Sequence, residues 1–339
     1  METILVTGGA GFIGSNFVRW CLRHHPDARV INLDKLTYAG NLANLADLAS
    51  DPRYRFVQGD VCDAALVNDL MRGVTRVVHF AAETHVDRSI MAAGDFITTD
   101  VFGTFTLLEA ARATGTLRRF VHISTDEVYG NADDGPSRED SPLNPRSPYA
   151  ASKTGADRLA FSYWCTHQLP VVITRCSNNF GPYQYPEKLI PFFVTNALLG
   201  ETLPLYGDGS NIRDWIHVDD HCAAVAFLLF ADGVDGEVFN VGADCERTNR
   251  VIAEIIIREL GVNPALLKSV PDRAGHVLRH AVTSAKLQAR GWRPQHTDFA
   301  AALAGTVRWY RDHEAWWRAI REKSAEYQRF KQAYYQNRK

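Results

Sequence analysis

The feature that most restricts the fold is a glycine-rich string set between an apolar run and a helical pattern. Ile4 to Thr7 leads directly into Gly8-Gly9-Ala10-Gly11-Phe12-Ile13-Gly14, and Asp34 ends the second apolar run, twenty residues beyond Gly14. Strand, glycine turn, helix and distant acid together form the pattern of a dinucleotide-binding βαβ unit. Gly8 permits the tight turn, Gly11 lets the backbone and the helix amino terminus approach a pyrophosphate, and Gly14 lets helix and strand pack closely. Asp34 is placed to accept from ribose hydroxyls and to repel a 2′-phosphate, which predicts NAD over NADP; the adjacent Lys35 works against that preference.

The first 175 residues keep the same rhythm. Short runs rich in β-branched residues (Arg29 to Leu33, Arg55 to Gln58, Arg76 to Phe80, Arg119 to Ser124, Val171 to Arg175) alternate with longer helical patterns. That alternation predicts an α/β fold, a doubly wound parallel sheet of Rossmann type. After Cys176 loop signals accumulate: Gly181-Pro182, Pro186, Pro191 and Gly207-Asp208-Gly209. Cys222 to Phe230 and Glu237 to Val241 then read as helix and strand again. The expected division is an NAD-binding domain over 1–176 plus about 215–243. A smaller, discontinuous carboxyl-terminal substrate-binding domain covers about 177–214 plus 244–339.

Two further strings carry chemistry. In Tyr149-Ala150-Ala151-Ser152-Lys153 the outer residues share one helix face. The Lys153 ammonium and an oxidised nicotinamide both lower the phenol pKa, so that Tyr149 acts as a base near neutral pH. Alone, this spacing is a common surface pair; behind a dinucleotide fingerprint it marks a catalytic couple. Ser124-Thr125-Asp126-Glu127-Val128-Tyr129-Gly130 follows the run Phe120 to Ile123, at the strand end where open sheets bind ligands. A helix cap explains one hydroxyl and one acid. Two adjacent acids beside a nicotinamide site suggest a general acid and a general base with pKa values pushed apart.

The glycine spacing and Tyr-x-x-x-Lys together resemble the short-chain dehydrogenase/reductase superfamily. From about Thr3 to Tyr310 the chain resembles one family within it, the dTDP-glucose 4,6-dehydratases. The resemblance is carried by Thr125-Asp126-Glu127 and by the strings Asp34 to Asn41, Ala81 to Ser89, Cys176 to Tyr183 and Pro186 to Pro191. It implies conversion of dTDP-glucose to dTDP-4-keto-6-deoxyglucose by C4 oxidation, loss of water across C5 and C6, and hydride return to C6, with NAD retained. In that scheme Tyr149, helped by Thr125 and paired with Lys153, removes the O4 proton, Glu127 takes the C5 proton and Asp126 protonates the leaving C6 hydroxyl. The resemblance implies cofactor contacts at Gly8, Gly11, Phe12, Ile13, Asp34, Lys35, Thr37, Gly40, Asp60, Val61, Phe80, Ala81, Ala82, Thr99, Tyr149, Lys153 and Asn179. It implies contacts to the nucleotide-diphosphate sugar at Thr84, Thr125, Asn178, Glu187, Lys188, Pro204, Leu205, Tyr206, Arg213, Asn249, Asp272, Arg273 and His276, with the Arg213 fork on the diphosphate. It also implies a homodimer through a four-helix bundle built from about Thr98 to Thr114 and Tyr149 to His167, with Leu107 and Leu108 expected to face the partner.

The chain departs from the family pattern at several positions. Thr84 stands in place of Ser and Asp100 in place of Asn; Ala274, Val277, His280 and Ser284 replace Pro, Asp, Tyr and an acid. The last group leaves open the same machinery acting on a UDP-, GDP- or CDP-sugar or a larger sugar; a 4-epimerase is a further alternative, against which Asp126 and Glu127 argue. A dinucleotide-sensing protein without turnover is the alternative of another class, and the retention of Tyr149, Lys153, Asp126 and Glu127 together speaks against it.

Lys plus Arg number 37 against 39 Asp plus Glu, so no global field gathers nucleic acid or an anionic membrane. The apolar stretch Ala223 to Ala231 is half a membrane span, and Met1-Glu2-Thr3 opens no export signal. Six cysteines far apart, with no Cys-x-x-Cys, predict reduced thiols and a cytoplasmic location. His217 and His221 fall four apart on an expected helix near two acids, yet no metal is expected. The end, Trp316 to Lys339, reads as a basic helix whose aromatic stripe packs on its own protein.

Overall fold

The computed structural model describes residues 2–272, 276–324 and 327–328. The first six strands are β1 (Glu2–Thr7), β2 (Ala28–Asp34), β3 (Tyr54–Gln58), β4 (Arg76–His79), β5 (Arg119–Thr125) and β6 (Val171–Cys176). Three short strands follow, β7 (Asn178–Phe180), β8 (Leu203–Tyr206) and β9 (Ile212–His217), before β10 (Val238–Val241). The main sheet has seven strands in the order β10-β6-β5-β4-β1-β2-β3, every neighbouring pair parallel. The chain winds outward from β1 to β3, then crosses back to start β4 on the other side of β1. Ligands bind at such a switch point, beyond the carboxyl ends of the strands.

Strand periodicity divides the side chains between two cores. Ile4 and Val6 point at Phe17 and Val18 of the helix Phe12–His24 and at Val225 and Leu229 of the helix Val218–Phe230. Leu5 points the other way, at Leu107, Leu108 and Ala160. Both Leu107 and Leu108 are fully buried within this chain, which corrects their expected place on a subunit interface. The exposed apolar side chains of that region are Ile97, Phe102 and Phe105 instead. All residues of β5 and β6 are buried, including the charged Arg175. Its guanidinium meets Asp157 at 2.9 and 3.1 Å and the Tyr129 hydroxyl at 2.7 Å, so the buried charge is paired.

The later part of the chain forms its own cluster around Phe192, Phe193, Ile256, Leu303, Tyr310 and Trp317. Three further strands, β11 (Glu246–Thr248), β12 (Leu267–Val270) and β13 (Arg279–His280), complete two small sheets. β9 pairs with β7, β11 and β13, and β8 pairs with β12. The helix Glu314–Lys323 turns Trp317 inward, where its indole donates to the Tyr310 carbonyl at 2.8 Å. Arg321, one of the residues that made this end look basic, is buried and donates to Thr195 at 2.7 Å and Asn196 at 2.8 Å. The stripe thus packs on its own protein as far as the described residues go; Phe330 and Tyr334 lie outside them. Among the described residues, no helix is long and apolar enough to cross a membrane.

Candidate active site

The turns after β1, β4, β5 and β6 open into one cavity of about 440 Å³ at the carboxyl edge of the sheet, closed over by β7, β8, β9 and the His276 segment. Its first wall is the glycine turn. Gly8 has φ +70°, and a Cβ there would sit 2.6 Å from the Ala81 amide nitrogen. A Cβ on Gly14 would sit 2.2 Å from the Gly8 carbonyl oxygen. Gly11 precedes the helix Phe12–His24 with no capping side chain, so the first helical amides remain available to an anion at the cavity wall. The glycine cradle therefore fits a dinucleotide pyrophosphate.

Asp34 accepts from the amides of Ala10 at 2.9 Å and Leu36 at 2.8 Å, and burial raises its pKa against those two bonds. Lys35 turns to Asp60 at 2.7 Å, so the rim beside Asp34 carries two acids to one base, which disfavours an added phosphate.

The second wall is the β5 exit. Thr125 ends the strand and caps the turn Asp126–Tyr129 by accepting from the Glu127 amide at 3.3 Å. The turn sets Asp126 inward, 4% exposed, with the Thr125 hydroxyl 3.2 Å away. Burial first, then the Glu127 and Asp214 carboxylates, push its pKa up to about 8. At neutral pH Asp126 therefore holds its proton beside a second carboxyl side chain that lines the same cavity.

The third wall is the helix Pro148–His167, started by Ser147 accepting from the Ala150 amide. Tyr149 and Lys153 both face the cavity. The Lys153 ammonium donates to the Ile123 carbonyl at 2.6 Å. Burial raises the Tyr149 pKa, Glu127, Cys176 and Asp100 add to that, and a hydrogen bond with Thr125 opposes it. Burial lowers the Lys153 pKa, and the Asp100 carboxylate opposes that shift.

On the far side Arg213, 6% exposed, donates to the carbonyls of Ile212 at 2.7 Å and Val277 at 3.0 Å and lies 3.1 Å from the His276 ring. Glu187 is buried against Arg88 at 3.0 Å, and Arg88 stacks over Tyr38 at 3.6 Å from the ring centre.

All the sequence-derived catalytic and cofactor positions line this one cavity. So do Thr84, Asn178, Glu187, Lys188, Pro204, Tyr206, Arg213, Asn249 and His276. Leu205 does not: its side chain belongs to the apolar cluster. Asp272 stands behind the lining and holds His276 at 2.6 Å, and Arg273 lies outside the described residues. Glu83, Cys176, Tyr185 and Trp215 also line the cavity and were not singled out from sequence; His280, one of the departures from the family pattern, lines it too. They arrive from separate loops and strands, and no local spacing announces them. Burial and the Asp100 and Asp95 carboxylates push Glu83 up to about 7.

His217 is the last residue of β9 and caps the next helix, which corrects its expected place on a helix beside His221. His221 lies 2.9 Å from the Asn179 amide oxygen. His217 instead stacks on His296 at 4.0 Å with 27° between rings, near Asp219. Stacked rings direct their nitrogens along separate planes, a poor start for one shared ion.

A family model described as GDP-mannose 4,6 dehydratase matches residues 5–305. The chain is 51% identical over 323 residues to the dTDP-glucose 4,6-dehydratase of Streptomyces niveus, covering 94% of this chain and 95% of that one. It superposes with TM-score 0.91 and 54% identity on the dTDP-glucose 4,6-dehydratase of Streptomyces venezuelae solved with NAD and dTDP bound, over 94% of this chain and all of that one. It also superposes with TM-score 0.84 and 30% identity on the UDP-glucose 4-epimerase of Thermus thermophilus solved with NAD, over 92% of this chain and all of that one.

Proposed function

The chain belongs to the GDP-mannose 4,6 dehydratase family, and from that premise we propose that it is an NAD-dependent dTDP-glucose 4,6-dehydratase. The observation that carries the reading is the Asp126 and Glu127 pair beside Tyr149, with Asp126 held protonated at neutral pH. An epimerase that only oxidises and re-reduces C4 has no use for such a donor; an enzyme that expels the C6 hydroxyl as water needs one.

The glycine turn, Asp34 and the Phe80 to Ala82 strand exit would hold NAD, with Thr99, Lys153 and Asn179 along its length. When bound, NAD supplies the acceptance and return of hydride, so the reaction is redox-neutral overall. Tyr149 takes the O4 proton through the hydrogen bond it shares with Thr125. With NAD bound, the positive charge of the oxidised nicotinamide and the Lys153 ammonium would together oppose the burial that keeps the phenol protonated. Glu127 removes the C5 proton made acidic by the C4 ketone, and Asp126 gives its proton to the C6 oxygen. Arg213 faces the diphosphate, and Lys188 and Glu187 face the sugar.

The division into an NAD-binding part (1–176 plus about 215–243) and a substrate-binding part is supported by β10 lying in the main sheet and by the separate apolar cluster of the later residues. The homodimer reading is supported by the exposed Ile97, Phe102 and Phe105, all near the helix Gly103–Thr114. Six free cysteines support work in the cytoplasm.

Asp126→Asn combined with Glu127→Gln tests the acid and base roles. The double variant should reduce its bound cofactor on mixing with dTDP-glucose and stop there, with the reduced-nicotinamide absorbance persisting. Undiminished water loss in that variant would remove both assignments.

A further inference from the structure

Behind the cavity wall lies a buried carboxylate that the scheme above does not use. Asp100, 1% exposed, sits in the π-helical turn Ile97–Phe102, an irregular turn type that recurs at functional sites. Its two oxygens tie two walls together. One accepts from the Glu83 amide at 2.8 Å, in the loop after β4; the other accepts from the Ser152 hydroxyl at 2.6 Å, one residue before Lys153. The Asp100 carbonyl accepts from Thr104, which reaches His79 at 2.9 Å and through it Thr7 at 2.7 Å, so the turn is anchored to the first strand. Asp100 does not line the cavity.

We propose that Asp100 is a positioning residue for the Tyr149 and Lys153 couple, its negative charge setting the pH range in which the ammonium and the phenol hold the states that catalysis needs. For its kinetic readout the proposal rests on the dehydratase reading. The groups facing this charge are Lys153 and Tyr149 from the catalytic helix and Glu83 from the β4 exit. Lys153 also faces Cys176, Asp157 and the buried rings of His79 and His122, whose charged forms burial and the ammonium both disfavour, and Tyr149 also faces Glu127 and Cys176. A negative charge at Asp100 favours the ammonium over the amine and the phenol over the phenolate, so it moves both members of the couple in the same direction, upward. Burial brings Asp100 itself to about 6, so that charge is present at neutral pH and is lost in mild acid.

The bonding makes a clean test available. In Asp100→Asn the amide oxygen can keep the Glu83 bond while the amide nitrogen donates to the Ser152 hydroxyl, which still reaches the Tyr149 carbonyl, now at 2.8 Å. Shape and bonding persist and the charge goes. The full-length protein labelled with ε-¹³C lysine, its Lys153 signal assigned through Lys153→Arg, is titrated by NMR as wild type and as Asp100→Asn. The Lys153 titration should move down by about one pH unit. With dTDP-glucose, both limbs of the kcat profile should move to lower pH by a similar amount, and wild type and variant should converge below about pH 6, where both carry a neutral side chain. Asp100→Ser, which also lacks the charge, should shift the same way and guards against a folding fault in one variant. An unmoved Lys153 titration in both variants overturns the proposal. Should wild type not turn over dTDP-glucose, the dehydratase reading falls by itself, and the Lys153 titration still decides the role of Asp100.

Discussion

Asp126→Asn should stabilise the protein while abolishing its dehydration. The folded chain keeps a proton on Asp126 up to about 8, whereas the unfolded chain gives it up near 3.8. Between those values the native state binds more protons, so stability falls as pH rises through the window and levels off above it. At pH 7 the unfolded state has had about 3 pH units in which to gain, which at 1.36 kcal/mol per unit is about 4 kcal/mol. Relaxation and water entry around the carboxylate reduce this, and about 2 kcal/mol is a fair lower figure. Asparagine has no proton to lose, so the variant escapes the penalty. Urea unfolding of both proteins at equal NAD concentration should give a gap of at most about 1 kcal/mol near pH 4.5 that widens with pH, and a variant more stable by about 2–4 kcal/mol at pH 7 with equal m-values. A difference that stays flat between pH 4.5 and 8 would show that Asp126 is ionised in the fold, and its role as proton donor would go with it.

Other consequences follow from the same geometry. Gly14→Ala puts a methyl group 2.2 Å from the Gly8 oxygen, so the turn must open, and purified protein should carry NAD at least roughly tenfold more weakly, read from its nucleotide content. Arg213→Lys replaces a buried fork by a point charge and should raise KM for the nucleotide sugar roughly ten- to a hundredfold with a smaller change in kcat. Phe105→Glu, on an exposed apolar side chain, should yield a folded monomer by sedimentation, while Leu108→Asp should unfold the chain because Leu108 is core.

What was legible in the sequence was what local spacing fixes. The glycine turn, Asp34, the Tyr149 and Lys153 pair and the Thr125 to Glu127 triplet each depend on neighbours a few residues away, and the sheet brings them to one edge because parallel strands place all their carboxyl ends together. An amphipathic helix, by contrast, shows that one face is buried and not against what, so Leu107 and Leu108 read equally well as interface or core. His217 fell on the wrong element because a strand running straight into a helix leaves no turn signal at the join. Arg321 was counted with a basic surface, whereas its guanidinium meets Thr195, Asn196 and Glu201 in the interior. Glu83, Trp215 and His280 share a cavity only through the tertiary fold. Asp100 stood out as a departure from the family pattern, but its bridge from Glu83 to Ser152 became visible only in three dimensions.

The proposed reaction is water loss from one nucleotide sugar with the cofactor returned to its starting state. Incubating the purified protein separately with dTDP-, UDP-, GDP- and CDP-glucose and following product mass tests it most directly. Loss of one water from dTDP-glucose with no lasting reduced nicotinamide is the expected result; a product of unchanged mass, or water loss only from another nucleotide's sugar, would rule the proposed reaction out.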